Sequence, residues 1–238
     1  GGVEALRDAF TAARRLGLRS TLYLCPYIIH ETSTLVKTGQ AQRWSTVHHD
    51  GSAKGRYTAL GFYHPCPGCV EYQDYIAATV GRLLRETGAD GIRLDAVGYY
   101  NHPCYNPAHH HRSPFNYNKW IGQMLSKVSK AAPAANPDAL LLTEGVVDFY
   151  AQWFHGGLTQ VYPSDVPPMR VAVAPYYRAW AYAPVGPVWG SISGLAGGGR
   201  TPEADRKWRC ASSPVHDTLI SGTVADEDVK ATDPEIIA

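Results

Sequence analysis

The sequence has no excess of either charge sign, because 22 Lys and Arg residues face 21 Asp and Glu residues for a net charge of +1. Nucleic-acid-binding proteins usually carry a basic excess or a basic stripe, and neither is visible. The sequence also lacks any run of about 18 apolar residues, the length that a membrane-spanning helix needs. We therefore expect neither a nucleic acid nor a membrane among the partners of this chain.

Cysteine is scarce, with five residues at positions 25, 66, 69, 104 and 210. An odd number at scattered spacing is not a disulfide framework. The sequence opens Gly1-Gly2-Val3, with no initiator Met and no signal-peptide pattern. We expect a mature domain or a fragment of a longer protein. A secreted and a cytoplasmic location both stay open, as does the oligomeric state.

The composition is that of a folded domain, with 45% apolar and 18% charged residues in a chain of 238. Apolar residues recur at helical spacing over 3–16, 71–87 and 117–132, and short β-rich runs cover 19–25, 90–95 and 139–144. A short helix near 147–154 and strands near 157–162 and 170–174 could follow. Helices that alternate with short apolar strands predict an α/β fold with a parallel sheet. Residues 184–238 lack either period and predict a loosely ordered tail after a domain over 1–183.

The long segments 26–69 and 96–116 each follow a predicted strand. Functional loops follow the carboxyl ends of the strands in α/β barrels and in open doubly wound sheets. Periodicity alone does not choose between these two folds.

Arg93 and Asp95 stand two positions apart on the second strand and share one face of it. A guanidinium beside a carboxylate favours its ionised form and fixes its orientation, as a nucleophilic carboxylate requires. A structural ion pair at a strand end explains the same spacing.

Glu144 ends the next apolar strand, Leu140–Leu142 and Thr143. A partly desolvated carboxylic acid there could serve as a general acid. Glu144 could instead cap the helix that follows. Two carboxyl groups that face one pocket are the apparatus of glycoside hydrolysis.

The segment Gly88-Ala89-Asp90-Gly91-Ile92-Arg93-Leu94-Asp95 resembles the fourth-strand motif of α-amylase-like (β/α)8 glycoside hydrolases. Leu141-Leu142-Thr143-Glu144-Gly145 resembles the strand that follows it in that clan. Residues 1–180 together resemble a bacterial group of glycoside-hydrolase-like barrel proteins, the DUF6259 type. The features that match are the Cys-Pro segment before the helix at 71–87, the Cys104-Tyr105-Asn106-Pro107 loop with its histidines, and Thr143-Glu144-Gly145 followed by Asp148-Phe149-Tyr150.

The resemblance implies a (β/α)8 TIM barrel, incomplete here because only three strands are secure. It implies a glycosidase that cleaves O-glycosidic bonds of a carbohydrate by a retaining mechanism, with no cofactor and no metal. Asp95 would be the nucleophile and Glu144 the acid/base. The residues expected to contact the sugar are Arg93, Tyr99, Tyr100, Tyr105, His110, Trp153 and Tyr162.

Two alternatives remain open. The first is a non-catalytic carbohydrate-binding barrel or an inactive fragment, which the missing strands favour. The second is a metal-dependent hydrolase that uses His and Cys residues of the two long segments. Zinc sites use these residue types at short spacings, but Cys66-Pro67-Gly68-Cys69 has no second matching pair. The other members of this set are His64, His102, Cys104 and His109-His110-His111.

Overall fold

A computed structural model describes residues 2–53, 60–97, 102–143, 148–159, 188–191 and 219–221. The chain divides into two compact units, Gly1–Leu141 and Leu142–Ala238. Among the helices described, none is both long and apolar enough to cross a membrane.

The first unit alternates helices with strands. Its elements are α1 (Val3–Arg15), β1 (Thr21–Leu24), β2 (Ile29–His30), α2 (Thr34–Lys37), α3 (Gln40–Trp44), β3 (Phe62–Tyr63), α4 (Val70–Thr87), β4 (Gly91–Leu94), a 3-10 helix at Pro107–His109 and α5 (Tyr117–Ala135). Strand β5 (Leu140–Thr143) begins in this unit and ends in the second. The second unit continues with a 3-10 helix at Asp148–Trp153, β6 (Gly156–Thr159), β7 (Val188–Ser191) and β8 (Leu219–Ser221).

Parallel pairing joins the strands that alternate with helices. In the first unit β1 pairs with β4, and Tyr23 lies opposite Arg93 in the register. In the second unit the end of β5 pairs with β6, β6 with β7 and β7 with β8, all in parallel. The predicted α/β class is therefore confirmed, and the closure of these strands into an eight-stranded barrel stays a prediction.

Helices α4 and α5 pack against each other and form the core of the first unit. Gly88, in the left-handed conformation at φ 68°, ends α4. The apolar faces that the sequence predicts are buried: Tyr72, Ile76, Val80 and Leu84 on α4, and Trp120, Ile121, Met124, Leu125 and Val128 on α5.

Helix α1 is attached by polar contacts rather than by a buried face. None of its residues is buried, although its apolar residues recur at helical spacing. Arg7 donates to the Glu86 carbonyl at 2.6 Å. Arg14 pairs with Asp90 at 3.0 Å. The arginines of α1 thus hold it to the last turn of α4 and to the segment between α4 and β4.

Three sequence expectations differ from the structure. Segment 26–69, expected to be an irregular loop, contains α2, α3 and the antiparallel pair of β2 with β3. Strand β5 has a nearly continuous apolar sequence, which predicts a strand covered on both faces. Its burial alternates instead, with Leu140 and Leu142 only half-buried. Segment 184–238, which shows no strand period, contains β7 and β8. The strand expected near 170–174 lies outside the described residues, and the domain limits at 183 and 184 stay predictions.

Candidate functional site

The candidate site lies at the carboxyl end of β4. Ile92 and Leu94 are fully buried on one face of this strand. The side chains of Arg93 and Asp95 lie on the other face, where they are 25% and 17% exposed. The Asp95 amide donates to the Leu24 carbonyl at 2.9 Å, which continues the parallel ladder one residue past the strand. Backbone pairing therefore fixes the position from which the Asp95 carboxylate projects.

Each oxygen of the Asp95 carboxylate faces a different neighbour. Oδ2 accepts a hydrogen bond from the Tyr23 hydroxyl at 2.5 Å. Oδ1 lies 3.7 Å from an Nη2 of Arg93. The Arg93 guanidinium lies 5.0 Å from the centre of the Tyr23 ring, so the three side chains form one group. A short hydrogen bond to an ionised group is stronger than a neutral one, and it orients the carboxylate while Oδ1 stays less tightly held.

Tyr23 is a member of the site that the sequence reasoning missed. It comes from β1, opposite Arg93 in the register, so the parallel pairing puts both side chains on one face. Tyr23 as a whole is 56% exposed. Desolvation, and then the hydrogen bond to Asp95, raise its pKa above the ordinary value of 10.0. The hydroxyl is therefore a permanent donor at neutral pH. No local sequence signal identifies Tyr23, because its role depends on which strands pair.

The chain turns sharply after Asp95. Ala96 adopts φ 56°, in the left-handed region that residues with a Cβ rarely occupy. Such a conformation costs roughly 1–2 kcal/mol, and it persists here at a buried residue. Strained backbone of this kind is found more often at functional sites than elsewhere.

The residues predicted to contact a sugar have different surroundings. Tyr105 is 43% exposed, and its ring makes edge contacts with His49 and Phe115, each at 6.3 Å between ring centres. His110 is exposed and ends the 3-10 helix at φ 53°. Trp153, half-buried in the second unit, contacts Phe149 at 5.7 Å.

Four of the predicted site residues lie outside the described part of the chain. They are Tyr99, Tyr100, Glu144 and Tyr162. Their roles stay predictions from the sequence.

The structure brings together several residues of the His and Cys set. One ligand atom from each of Cys66, Cys104, His109 and His111 lies within 4.8 Å of the others. We call these four residues the Cys2His2 cluster. The sequence leaves a metal at these residues only as an alternative, because the Cys66–Cys69 motif has no second matching pair. The second cysteine and both histidines come instead from the segment after β4.

Hydrogen bonds within the Cys2His2 cluster shift the pKa values of Cys104 and His109 in opposite directions. The bond from Cys66 lowers the pKa of the Cys104 thiol well below its usual range, and the bond from His109 adds to this effect against the opposing effect of burial. Burial lowers the pKa of His109, but its bonds with Cys104 and Cys69 outweigh burial and raise the pKa to about 10.

Three further histidines, His48, His64 and His102, form a separate group. The His102 ring centre lies 6.0 Å from that of His48 and 6.1 Å from that of His64. Burial, followed by the proximity of His102 and His48, lowers the pKa of His64 to about 4. His64 and His102, two of the sequence-predicted metal candidates, therefore contact other histidines and are not members of the Cys2His2 cluster.

A cleft of about 690 Å³ lies at the other end of β4. It is bounded by the ends of α1, α4 and α5 and includes Arg14, Arg19, Arg85 and Asp90. Asp90 precedes β4, whereas Asp95 follows it, so this cleft is separate from the candidate site. Functional loops of parallel α/β folds lie at the carboxyl ends.

The fold defines a domain of the parallel α/β class with a carboxylate at the end of a strand. Comparisons with known proteins identify its family and structures of similar fold. The sequence model of the family described as "Domain of unknown function (DUF6259)" matches residues 1–190. The chain belongs to this family. No curated protein sequence matches it significantly.

Solved structures of glycoside hydrolases have a similar fold. An α-L-fucosidase (isoenzyme 2) from Paenibacillus thiaminolyticus has a TM-score of 0.66 at 16% identity, over 92% of this chain and 36% of that chain. An α-galactosidase from Lactobacillus brevis has a TM-score of 0.65 at 12% identity, over 93% and 29%. The α-galactosidase TtGalA from Thermus thermophilus, solved with stachyose, has a TM-score of 0.60 at 14% identity, over 92% and 48%.

The chain therefore spans about half or less of the length of these structures. At such low identity the likeness shows the fold, which is glycoside-hydrolase-like as the sequence predicted. The more specific similarity to the α-amylase clan stays a prediction.

Proposed function

We propose that this chain carries the nucleophile-bearing part of a retaining glycoside hydrolase. The observation that carries the proposal is the Asp95 carboxylate at the end of a parallel strand, oriented by the Tyr23 hydroxyl at 2.5 Å. Family membership and the fold shared with α-galactosidases and an α-L-fucosidase support the same class of reaction.

In the proposed reaction Asp95 attacks the anomeric carbon of the sugar. A bond forms between a carboxylate oxygen and that carbon while the glycosidic C–O bond breaks. Glu144, placed after β5 by the sequence, gives its proton to the departing oxygen. Glu144 then takes a proton from water, the water oxygen attacks the same carbon, and the Asp95 ester is cleaved with net retention.

The neighbours of Asp95 have distinct roles in this proposal. Tyr23 holds Oδ2 by its hydrogen bond. Oδ1, 3.7 Å from Arg93, is the freer oxygen and is proposed to attack. Arg93 also offers donors to hydroxyl groups of the sugar, and Tyr105 offers an exposed ring for stacking against it.

The test uses activated aryl glycosides, beginning with α-galactosides and α-L-fucosides because proteins of similar fold act on these sugars. The Asp95→Asn variant should lose at least about a thousandfold in kcat, since a neutral amide cannot form the ester intermediate. A 2-deoxy-2-fluoro glycosyl fluoride should add one glycosyl mass to the peptide that contains Asp95. Asp74→Asn is the matched control, because Asp74 is an exposed carboxylate on α4 that pairs with Lys127.

Full activity of Asp95→Asn would contradict the proposal, as would a glycosyl label on another residue. A chain that binds these sugars but turns none of them over would favour the alternative of a non-catalytic carbohydrate-binding barrel.

A further inference from the structure

We infer that the Cys2His2 cluster is a structural zinc site, in which Cys66, Cys104, His109 and His111 are the four ligands. The inference is independent of the proposed glycosidase activity. It rests on the positions of the four donor atoms, on the hydrogen bonds around them and on the places of the ligands in the fold.

The spacing of the donor atoms suits tetrahedral coordination. Zn–S bonds of about 2.3 Å and Zn–N bonds of about 2.0–2.1 Å in a tetrahedron imply ligand separations of about 3.3–3.8 Å. Cys66 Sγ lies 3.2 Å from His111 Nε2, and Cys104 Sγ lies 3.4 Å from His109 Nδ1. All four atoms fall within 4.8 Å of one another. Side-chain rotations that move the ligand atoms by about an ångström would complete the tetrahedron.

The hydrogen bonds of His109 orient its ring for a metal. Its Nε2 lies 2.9 Å from the Arg43 carbonyl oxygen. A carbonyl can only accept, so Nε2 carries a proton. Nδ1 faces Cys104 Sγ at 3.4 Å, and its lone pair becomes available to a metal once Nδ1 releases its own proton. Metal-binding histidines almost always donate their other ring nitrogen to a carbonyl or a carboxylate in this manner.

Contacts with neighbouring residues also fix the positions of the other ligands. The Gly68 amide donates to Cys66 Sγ at 3.3 Å, and this hydrogen bond fixes the position of the sulfur. The His111 ring stacks on Trp120 with 4.0 Å between ring centres. Both cysteines are almost fully buried, so zinc would be shielded from water.

The proposed ligands join two segments of the first unit that both follow strands. Cys66 lies just before α4, in the connection that begins after β1. Cys104, His109 and His111 lie in the connection between β4 and α5, which begins at Asp95. Four protein ligands leave no open position for water or substrate. The site therefore fits a structural zinc that fastens these connections together, rather than the metal-dependent hydrolase that the sequence left open.

A disulfide between Cys66 and Cys104 is the competing arrangement, because these two thiols are hydrogen-bonded partners. Such a bond would use both sulfur ligands and would leave the histidines without a role. The two arrangements make opposite predictions for metal content and for free thiols.

The first experiment measures zinc in the 238-residue chain purified without chelator, by inductively coupled plasma mass spectrometry. We expect about one zinc per chain. Cys66→Ser and Cys104→Ser should each bind zinc at least about tenfold more weakly in a competition assay with a chromogenic chelator. Cys25→Ser is the matched control, since Cys25 lies outside the cluster, and it should keep the full zinc content.

Because a ligand variant could fail to fold, a second measurement uses the unaltered chain with Co²⁺ in place of zinc. A tetrahedral site with two thiolates should give strong ligand-field bands and thiolate-to-cobalt charge-transfer absorption. Three outcomes would overturn the proposal: a zinc-free chain with a Cys66–Cys104 disulfide by peptide mapping, a cobalt spectrum without thiolate bands, or full zinc retention in both serine variants.

Discussion

Replacing Gly68 with alanine should destabilise the first unit. A Cβ on Gly68 would lie 2.6 Å from Cδ2 and 2.9 Å from Cε2 of Trp120, and closer still to Cε1 of His111. Ordinary contacts of a Cβ lie at 3.4–4 Å. The stacked rings must therefore move by about an ångström, and Trp120, only 6% exposed, has little free space. Overpacking of this kind costs roughly 1–3 kcal/mol.

We expect Gly68→Ala to lower the free energy of unfolding by about 2 kcal/mol. With a urea dependence of about 2 kcal/mol/M, the midpoint should fall by about 1 M. Tryptophan fluorescence follows the transition, and the measurement is made both with zinc and with a chelator. The loss should appear in both conditions, because the clash with Trp120 does not require a metal.

Gly81→Ala is the matched control for this prediction. A Cβ on Gly81 would lie 3.2 Å from Nη1 of Arg85, an exposed side chain whose end can move away. Alanine in place of glycine inside a helix gains about 0.5–1 kcal/mol. The same substitution should therefore have opposite signs at the two positions. Equal shifts for both variants, or a Gly68→Ala chain as stable as the parent, would refute the packing argument.

Three further variants test other parts of the first unit. Burial raises the pKa of Asp90, but a hydrogen bond from the Ser20 amide and then the contact with Arg14 outweigh burial. The pKa of Asp90 is therefore held below 3.8. Its stabilising effect is thus present above about pH 4 and is lost as the pH falls further. In a plot of the urea midpoint against pH, Asp90→Asn should reduce the slope below about pH 4. An unchanged slope would contradict the link between the Asp90 pKa and stability. Met124→Ala, at a fully buried position, should cost about 2–5 kcal/mol in the same unfolding assay, and a loss below about 1 kcal/mol would show that the cavity collapses. Tyr23→Phe should lower kcat/KM on aryl glycosides about 10- to 100-fold, since a hydrogen bond to a charged group contributes about 1.5–3 kcal/mol. Unchanged kinetics would mean that Tyr23 does not position Asp95.

The sequence was most informative where one periodic signal decides the structure. The apolar spacing that predicts a helix over 71–87 is found in α4, because its apolar face packs on α5 and Gly88 supplies the left-handed end. Alternation along β4 correctly separates buried Ile92 and Leu94 from Arg93 and Asp95. These features depend on neighbours within a few residues.

The features that were missed depend on contacts between distant segments. Tyr23 meets Asp95 only because β1 and β4 pair in one register, and no local pattern states that register. For the metal candidates the sequence predicts a wider set of His and Cys residues, and the packing of the two long segments decides which four of them share a site. The irregular spacing of 26–69 concealed α2 and α3 because helices of four and five residues are too short to show a period.

The hydrogen bond between Tyr23 and Asp95 has a consequence for the order of folding. It joins residues 72 positions apart, and closing a flexible loop of that length costs about 4 kcal/mol of chain entropy. One hydrogen bond to a charged group returns less than this. The bond therefore cannot close this loop by itself, and it depends on the β1–β4 ladder that brings Tyr23 and the end of β4 into register. A molecule with native helices but without the β1–β4 ladder would therefore lack the arranged carboxylate.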